Sequence, residues 1–226
     1  MNSIQVQSLK PTIFEIYACF APFPSDAVLF GVCSDNTPFL FSVDNTVYES
    51  PNVMIWGRFA GQCIRVIKTS VEFILQYKNQ KRDRTEVVII SNNVSEWDEL
   101  QNSDFGVGKT KECVAVVPFW HGITEQIIVS LNQWIEQREA KNPLILFIDG
   151  FEGVLEMSEK SKKALTSLMV NGRRKNVYVI GTSKIESRPV LREWMSGFQE
   201  EIFGTETLEF FETKGGLVFW TPETEI

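Results

Sequence analysis

The chain has 226 residues, 43% of them hydrophobic and 23% charged, which suits one α/β domain or two small ones. Its net charge of −7 argues against a sequence-independent nucleic-acid binder, which needs a basic surface to displace counterions. No apolar run approaches the roughly 20 residues of a membrane helix, and no signal-peptide pattern is present.

Residues 1–25 alternate weakly and end in APFP, where Pro22 and Pro24 oppose both helix and central strand. We read this stretch as a linker from an upstream module that packs on the edge of a domain spanning 26–226. Residues 27–33 (AVLFGVC) and 38–43 (PFLFSV) flank the turn-forming SDNT and predict a hairpin. Residues 52–56 (NVMIW) predict a short strand, followed by the loop GRFAG and apolar residues at helical spacing (Cys63, Ile64, Ile67, Val71, Ile74, Leu75). Strand, glycine loop, helix is the setting of a phosphate-binding loop.

A strand at 86–90 (EVVII) precedes a polar stretch with scattered aromatics, and 113–117 (CVAVV) predicts another strand. A helix over about 122–138 is expected to bury Ile123, Ile127, Leu131, Trp134 and Ile135. Next comes PLILFIDGFE at 143–152. Its unbroken run Leu144 to Ile148 predicts a central parallel strand buried on both faces. The strand ends on Asp149, at the ligand-binding edge of such a sheet. A helix over 158–171 with Ser158 as N-cap follows, then a strand at 176–180 leading to Thr182 and Ser183. A helix over 188–198 and a last pair of edge strands near 208–211 and 217–220 complete the pattern. Strands alternating with helices predict βαβ units around a parallel sheet.

Cys19, Cys33, Cys63 and Cys113 are widely spaced and read as small buried residues of a reducing compartment. The single histidine, His121, reads as a helix-start residue. Trp97, Leu100 and Phe105 lie among polar residues, and Phe119 and Trp120 precede a helix. Aromatics in polar surroundings are enriched at interfaces, so these five residues form the expected partner surface. The alternative is that they cover the sheet edge as core.

Two stretches compete as phosphate loop. FGVGKT at 105–110 ends like G-x-x-x-x-G-K-[ST], but Ser103 stands at the first glycine and a strand, not a helix, follows. GRFAGQCI at 57–64 has the right setting and altered residues. Gly57 fits the first glycine. Gln62 replaces the second, Cys63 the lysine that meets the phosphates, and Ile64 the hydroxyl that ligates magnesium.

The order of hairpin, strand with modified loop, strand ending in Asp149, helix, and RRKNVYVIGTSK resembles the FtsK/SpoIIIE ATPases. More narrowly, residues 26–226 resemble the last ATPase module of the type VII secretion coupling protein. The resemblance implies a RecA-like P-loop NTPase fold, with a mostly parallel sheet flanked by helices and an N-terminal β-hairpin. It maps Gly57, Arg58, Phe59, Ala60, Gly61, Gln62, Cys63 and Ile64 onto the Walker A position, and Asp149 onto the Walker B acid. Thr182 and Ser183 fall at the γ-phosphate-sensing strand end, and Arg173 and Arg174 where relatives carry basic residues. Gly150 stands where hydrolysing members carry Glu, and Glu152 lies two residues further along.

The implied function is that of a degenerate terminal module on the cytoplasmic side of a membrane-anchored motor, needing no cofactor and binding MgATP weakly at most. Its implied partners are the preceding ATPase module, small helical WXG-type substrates and, in the full motor, further copies in a hexamer; nucleic acid is not among them. An active ATPase with a variant loop and a DNA-translocase motor are the alternatives.

Overall fold

The computed structural model describes residues 11–24, 27–43, 51–78, 85–98, 114–119, 122–137 and 142–224. Helix α1 (Ile13–Phe20) precedes the hairpin of β1 (Ala27–Cys33) and β2 (Pro38–Ser42). Then come β3 (Val53–Gly57), α2 (Gln62–Phe73), β4 (Glu86–Ser91), β5 (Val114–Pro118), α3 (Gly122–Gln137) and β6 (Leu144–Asp149). Helix α4 (Glu159–Asn171), β7 (Val177–Lys184), β8 (Glu200–Gly204), β9 (Phe210–Thr213) and β10 (Val218–Trp220) follow.

The strands form one sheet of ten, in the order β2-β1-β10-β9-β8-β3-β7-β6-β4-β5. From β8 to β5 every pairing is parallel; from β8 to β2 every pairing is antiparallel. The parallel part is therefore a βαβ sheet and the rest an antiparallel wing. The expected class, a mostly parallel α/β sheet flanked by helices with an N-terminal hairpin, is what is found.

Both faces of the parallel part are covered, which is why β3, β6 and β7 read as unbroken apolar runs. On one face Ile55, Phe147 and Ile180 pack against Val66, Ile67, Val71 and Ile74 of α2 and the turn after it. On the other, Met54, Leu146, Ile148 and Val179 pack against Ile128 and Ile135 of α3 and Leu165 and Leu168 of α4. Helix α4 is capped as expected: the Ser158 hydroxyl accepts from the Ser161 amide.

Asn52, fully buried ahead of β3, locks three elements. Its amide nitrogen donates to Met169 O (2.8 Å) and Gly197 O (3.0 Å), and its oxygen accepts from Val179 N (3.0 Å).

Five expectations are corrected. Residues 13–20 are helical despite the prolines that follow. A capping box between Thr12 and Glu15 starts the helix, and Ile13 and Ile16 bury against Leu29, Val32 and Phe73. Helix α3 buries Thr124, Ile128 and Ile135, leaving Ile123 and Trp134 exposed. The Thr124 hydroxyl donates to Pro118 O on that inward face, a polar position that an apolar count cannot register. Residues 188–198 form no α-helix. Leu191 leaves helical geometry and a 3-10 turn spans Arg192–Gly197, in a run too short, with Pro189 and Gly197 in it, to hold an α nucleus. The strands near 210 and 218 are interior to the sheet, because β8, unforeseen as a strand, pairs with β3 and presents its far side to β9. Cys19 is exposed, whereas Cys33 and Cys63 are buried as expected.

Candidate functional site

Four parallel strands end side by side at the carboxyl edge of the sheet. β3 delivers Gly57 and the loop to α2, β7 delivers Thr182 and Ser183, β6 delivers Asp149, and β4 delivers Ser91. β7 is inserted between the loop strand and the acid strand, with Trp56 opposite Ser183 and Asp149 opposite Thr182. Chain order reverses here, β4 lying to one side of β3 and β8 to the other, so a crevice opens where ligands bind in open α/β sheets.

The crevice is a cavity of about 180 Å³ lined by Gly57, Phe59, Ala60, Gly61, Cys63, Ile64, Asn93, Glu96, Asp149, Gly150, Glu152, Thr182, Ser183 and Lys184. The residues expected from both halves of the modified nucleotide site are thus together, except that Arg58 and Gln62 are not among the lining. The loop keeps a phosphate-loop feature: Gly61, at φ +75°, is the N-cap of α2 in the left-handed region that glycine adopts freely.

Its chemistry differs. Cys63, in the lysine's place, is buried. Its thiol reaches Ile55 O (3.5 Å) and Ser183 O (3.9 Å), bridging β3 and β7. Burial pushes this thiol well above its ordinary range, and the nearby Asp149 and Glu152 carboxylates push the same way, so it stays a neutral S–H. A Cβ at Gly57 would sit 2.8 Å from Cys63 Sγ, so glycine is required there by the thiol packed under it.

Asp149 accepts from the Ser91 hydroxyl (2.8 Å) and the Thr182 hydroxyl (2.9 Å). Thr182 Oγ1 in turn accepts from the Gly150 amide (3.3 Å). Burial raises the Asp149 carboxyl above its usual range against the pull of these two donors, and Glu152 and Glu96 add to the rise. Glu152 Oε2 accepts from the Ser183 hydroxyl at 2.6 Å. Gly150 has φ +82°, and a Cβ there would collide with the Asn92 side chain. Glutamate at that position is therefore opposed by the backbone itself.

Three carboxylates, Glu96, Asp149 and Glu152, thus face one lysine, Lys184, around a cavity that also receives the positive end of α2. A magnesium triphosphate site needs a cation on the phosphates and a hydroxyl on the metal. Here those places hold a neutral thiol and an isoleucine, so the residues do not fit that ligand. Among the described residues no group of three or more His, Cys, Asp or Glu is arranged to hold a metal.

The expected partner surface is not a surface where it is described. Trp97 and Phe119 are buried, at 1% and 4% exposure. Leu100, Phe105 and Trp120 lie outside the described residues, as do the FGVGKT stretch, Cys113 and His121. A groove that the sequence reading missed, of about 500 Å³, runs between α4 and the 192–197 turn. Leu155, Met169, Val170 and Trp194 supply its apolar wall, and Glu159, Lys162, Lys163 and Glu193 its charged rim. Leu155 and Val170 are 42% and 58% exposed. Ser91, also missed, was visible as the polar end of EVVIIS.

No protein-family model and no curated protein matches the sequence. Solved structures do match the fold. The cytoplasmic domain of EssC superposes with a TM-score of 0.68 at 12% identity, over 95% of this chain and 46% of that one. The structure of an ATPase gives 0.69 at 10% identity over 96% of both chains. The second and third ATPases of Thermomonospora curvata EccC, in complex with a signal sequence peptide, give 0.58 at 10% identity over 89% of this chain and 41% of that one. The fold is that of the EssC and EccC ATPase modules of type VII secretion. This chain spans less than half the length of those EssC and EccC structures. Among its described residues no helix is long and apolar enough to cross a membrane.

Proposed function

We propose that this chain is a degenerate ATPase module of a type VII secretion motor, working by contact and not by hydrolysis. The observation that carries the reading is Cys63, a buried neutral thiol fastened between two strands at the position where an ATPase of this fold needs a mobile cation. Ile64 and the backbone at Gly150 support it, by withholding a metal ligand and the place for a water-activating glutamate. No cofactor is required on this reading. Its partners are the preceding ATPase module of the same motor, further copies in a hexamer, and small helical WXG-type substrates, on the cytoplasmic face of the membrane. The EccC structure with a signal sequence peptide supports a substrate segment as ligand. The groove beside α4, apolar within and charged at its rim, suits one turn or two of amphipathic helix.

The test has two arms. Phosphate release from MgATP is measured for the chain and for Asp149→Asn; both are expected at background, and turnover abolished by the substitution would overturn the reading. Peptides from the C-termini of WXG-type substrates are titrated against the chain and Val170→Asp; binding is expected in the first and at least tenfold weaker in the second.

A second reading, an ATPase with a variant loop, is favoured by the Asp149, Thr182 and Ser91 network at the strand ends. Calorimetric binding of MgATP at micromolar concentration, lost in Asp149→Ala, would favour it over the first.

A further inference from the structure

Gln62 sits where a phosphate loop carries its second glycine, yet its side chain does not enter the cavity. It is fully buried and turns towards the connection between β8 and β9. Its Oε1 accepts from the Arg58 amide at 2.8 Å. Its Nε2 donates to Thr207 O at 2.9 Å, with Thr205 O at 3.3 Å. Arg58 adds a second strap, its Nε donating to Gly204 O at 3.0 Å.

The receiving side is shaped for this carboxamide. Thr205 N donates to Phe210 O (2.9 Å) and the Thr205 and Thr207 hydroxyls meet at 3.2 Å, closing the turn. Gly204 is bare where Gln62 passes: a Cβ there would overlap the carboxamide at all three of its outer atoms. A carboxamide alone among side chains of this size offers an acceptor to the amide and donors to two carbonyls at once. Glutamate would meet those carbonyls with lone pairs, and methionine would satisfy neither side.

We infer that Gln62 is an internal ligand of the loop over residues 57–61, holding it in its closed shape and joining it to the antiparallel wing through the β8–β9 connection. The loop and the wing then open together or not at all. A ligand that needs a rearranged loop must first break the Arg58 and Gln62 bonds, and its affinity is cut to its intrinsic value multiplied by the fraction of loops that are open. This inference rests on the loop's own geometry and stands whether or not the secretion reading does.

Amide hydrogen exchange on the full chain tests it, reading peptides over residues 57–62 and 203–211 in the wild type, Gln62→Met and Gln62→Glu, with β6 and α4 as internal controls. Gln62→Met should speed exchange by about tenfold in both segments, the effect of losing a buried hydrogen bond, while the controls stay unchanged. Gln62→Glu keeps the acceptor for Arg58 and should speed residues 203–211 more than 57–62. Wild-type exchange in either segment of Gln62→Met overturns the inference. Should Gln62→Met lose its fold, Gly204→Ala, which displaces the carboxamide from the other side, carries the same test with the same two outcomes.

Discussion

Asp149 and Thr182 stand opposite one another in register on adjacent parallel strands, and the threonine hydroxyl donates to the carboxylate at 2.9 Å. With Ser91 on the other side, the bonds to the acid among the described residues come from neutral hydroxyls, and its carboxyl is raised by burial. The sign of the pH effect follows. A carboxyl raised in the folded state binds its proton more tightly there than in the unfolded chain, so stability falls as pH rises from the unfolded value, about 3.9, through the raised folded one. Above that window the cost of the buried charge is fully present. Asp149→Asn lacks this term. It should be at least as stable as the wild type at neutral pH, and its advantage should shrink towards pH 4, measured by thermal unfolding across the series. An advantage that grows on acidification would mean that a cation holds Asp149 ionised.

Trp97, proposed from the sequence as a contact residue, is buried, with Lys68 Nζ 6.0 Å from its ring centroid. Trp97→Ala should therefore cost about 3–5 kcal/mol of stability, as truncation of a buried aromatic does. Phe119→Ala should behave likewise, since its ring covers Gly153 so closely that a Cβ there would collide with it. Urea unfolding followed by tryptophan fluorescence for Phe119→Ala, and by circular dichroism for Trp97→Ala, gives both values. A change under 1 kcal/mol in Trp97→Ala would restore it as a candidate contact.

Asn52→Leu keeps the volume and removes three hydrogen bonds, taking the Asn52 partner from Val179 N and Met169 O in the core, while Gly197 O keeps Gln199 Nε2 as a donor. At about 1–3 kcal/mol for each of these two buried groups left unsatisfied, the loss should reach at least about 2 kcal/mol. The urea midpoint should fall with an unchanged slope, since the folded surface is the same.

Gly204 and Gln62 fit each other, so their substitutions should not add. Gly204→Ala alone should cost about 1–3 kcal/mol through overpacking. In a Gln62→Ala background, where the obstructing carboxamide is gone, that cost should fall below 1 kcal/mol. A double-mutant cycle in urea measures the coupling, and a value within 0.3 kcal/mol of zero would show that the two sites are independent.

Much of this was legible in the residues. The strand, glycine loop and helix over 52–73, the buried strand ending in Asp149, the capped helix over 159–171 and the opening hairpin each carry their signal within a dozen neighbouring residues, in periodicity and turn chemistry. The altered loop residues at 62–64 were equally plain, because a phosphate loop is a short pattern. What the residues could not express was who sits beside whom. β8 follows from its pairing with β3, and the interior place of β9 and β10 from a chain of pairings that runs from β8 to β1. The inward face of α3 includes a threonine hydroxyl bonded to Pro118 O, and Trp97 is buried in one core cluster with Ile89 and Ile145. Gln62 shows the division best. Its sequence position says that a glycine is missing from a phosphate loop; the fold directs its carboxamide away from the cavity and onto the carbonyls of Thr205 and Thr207, because hydrogen bonds across 143 and 145 residues are set by the sheet that brings those carbonyls to it.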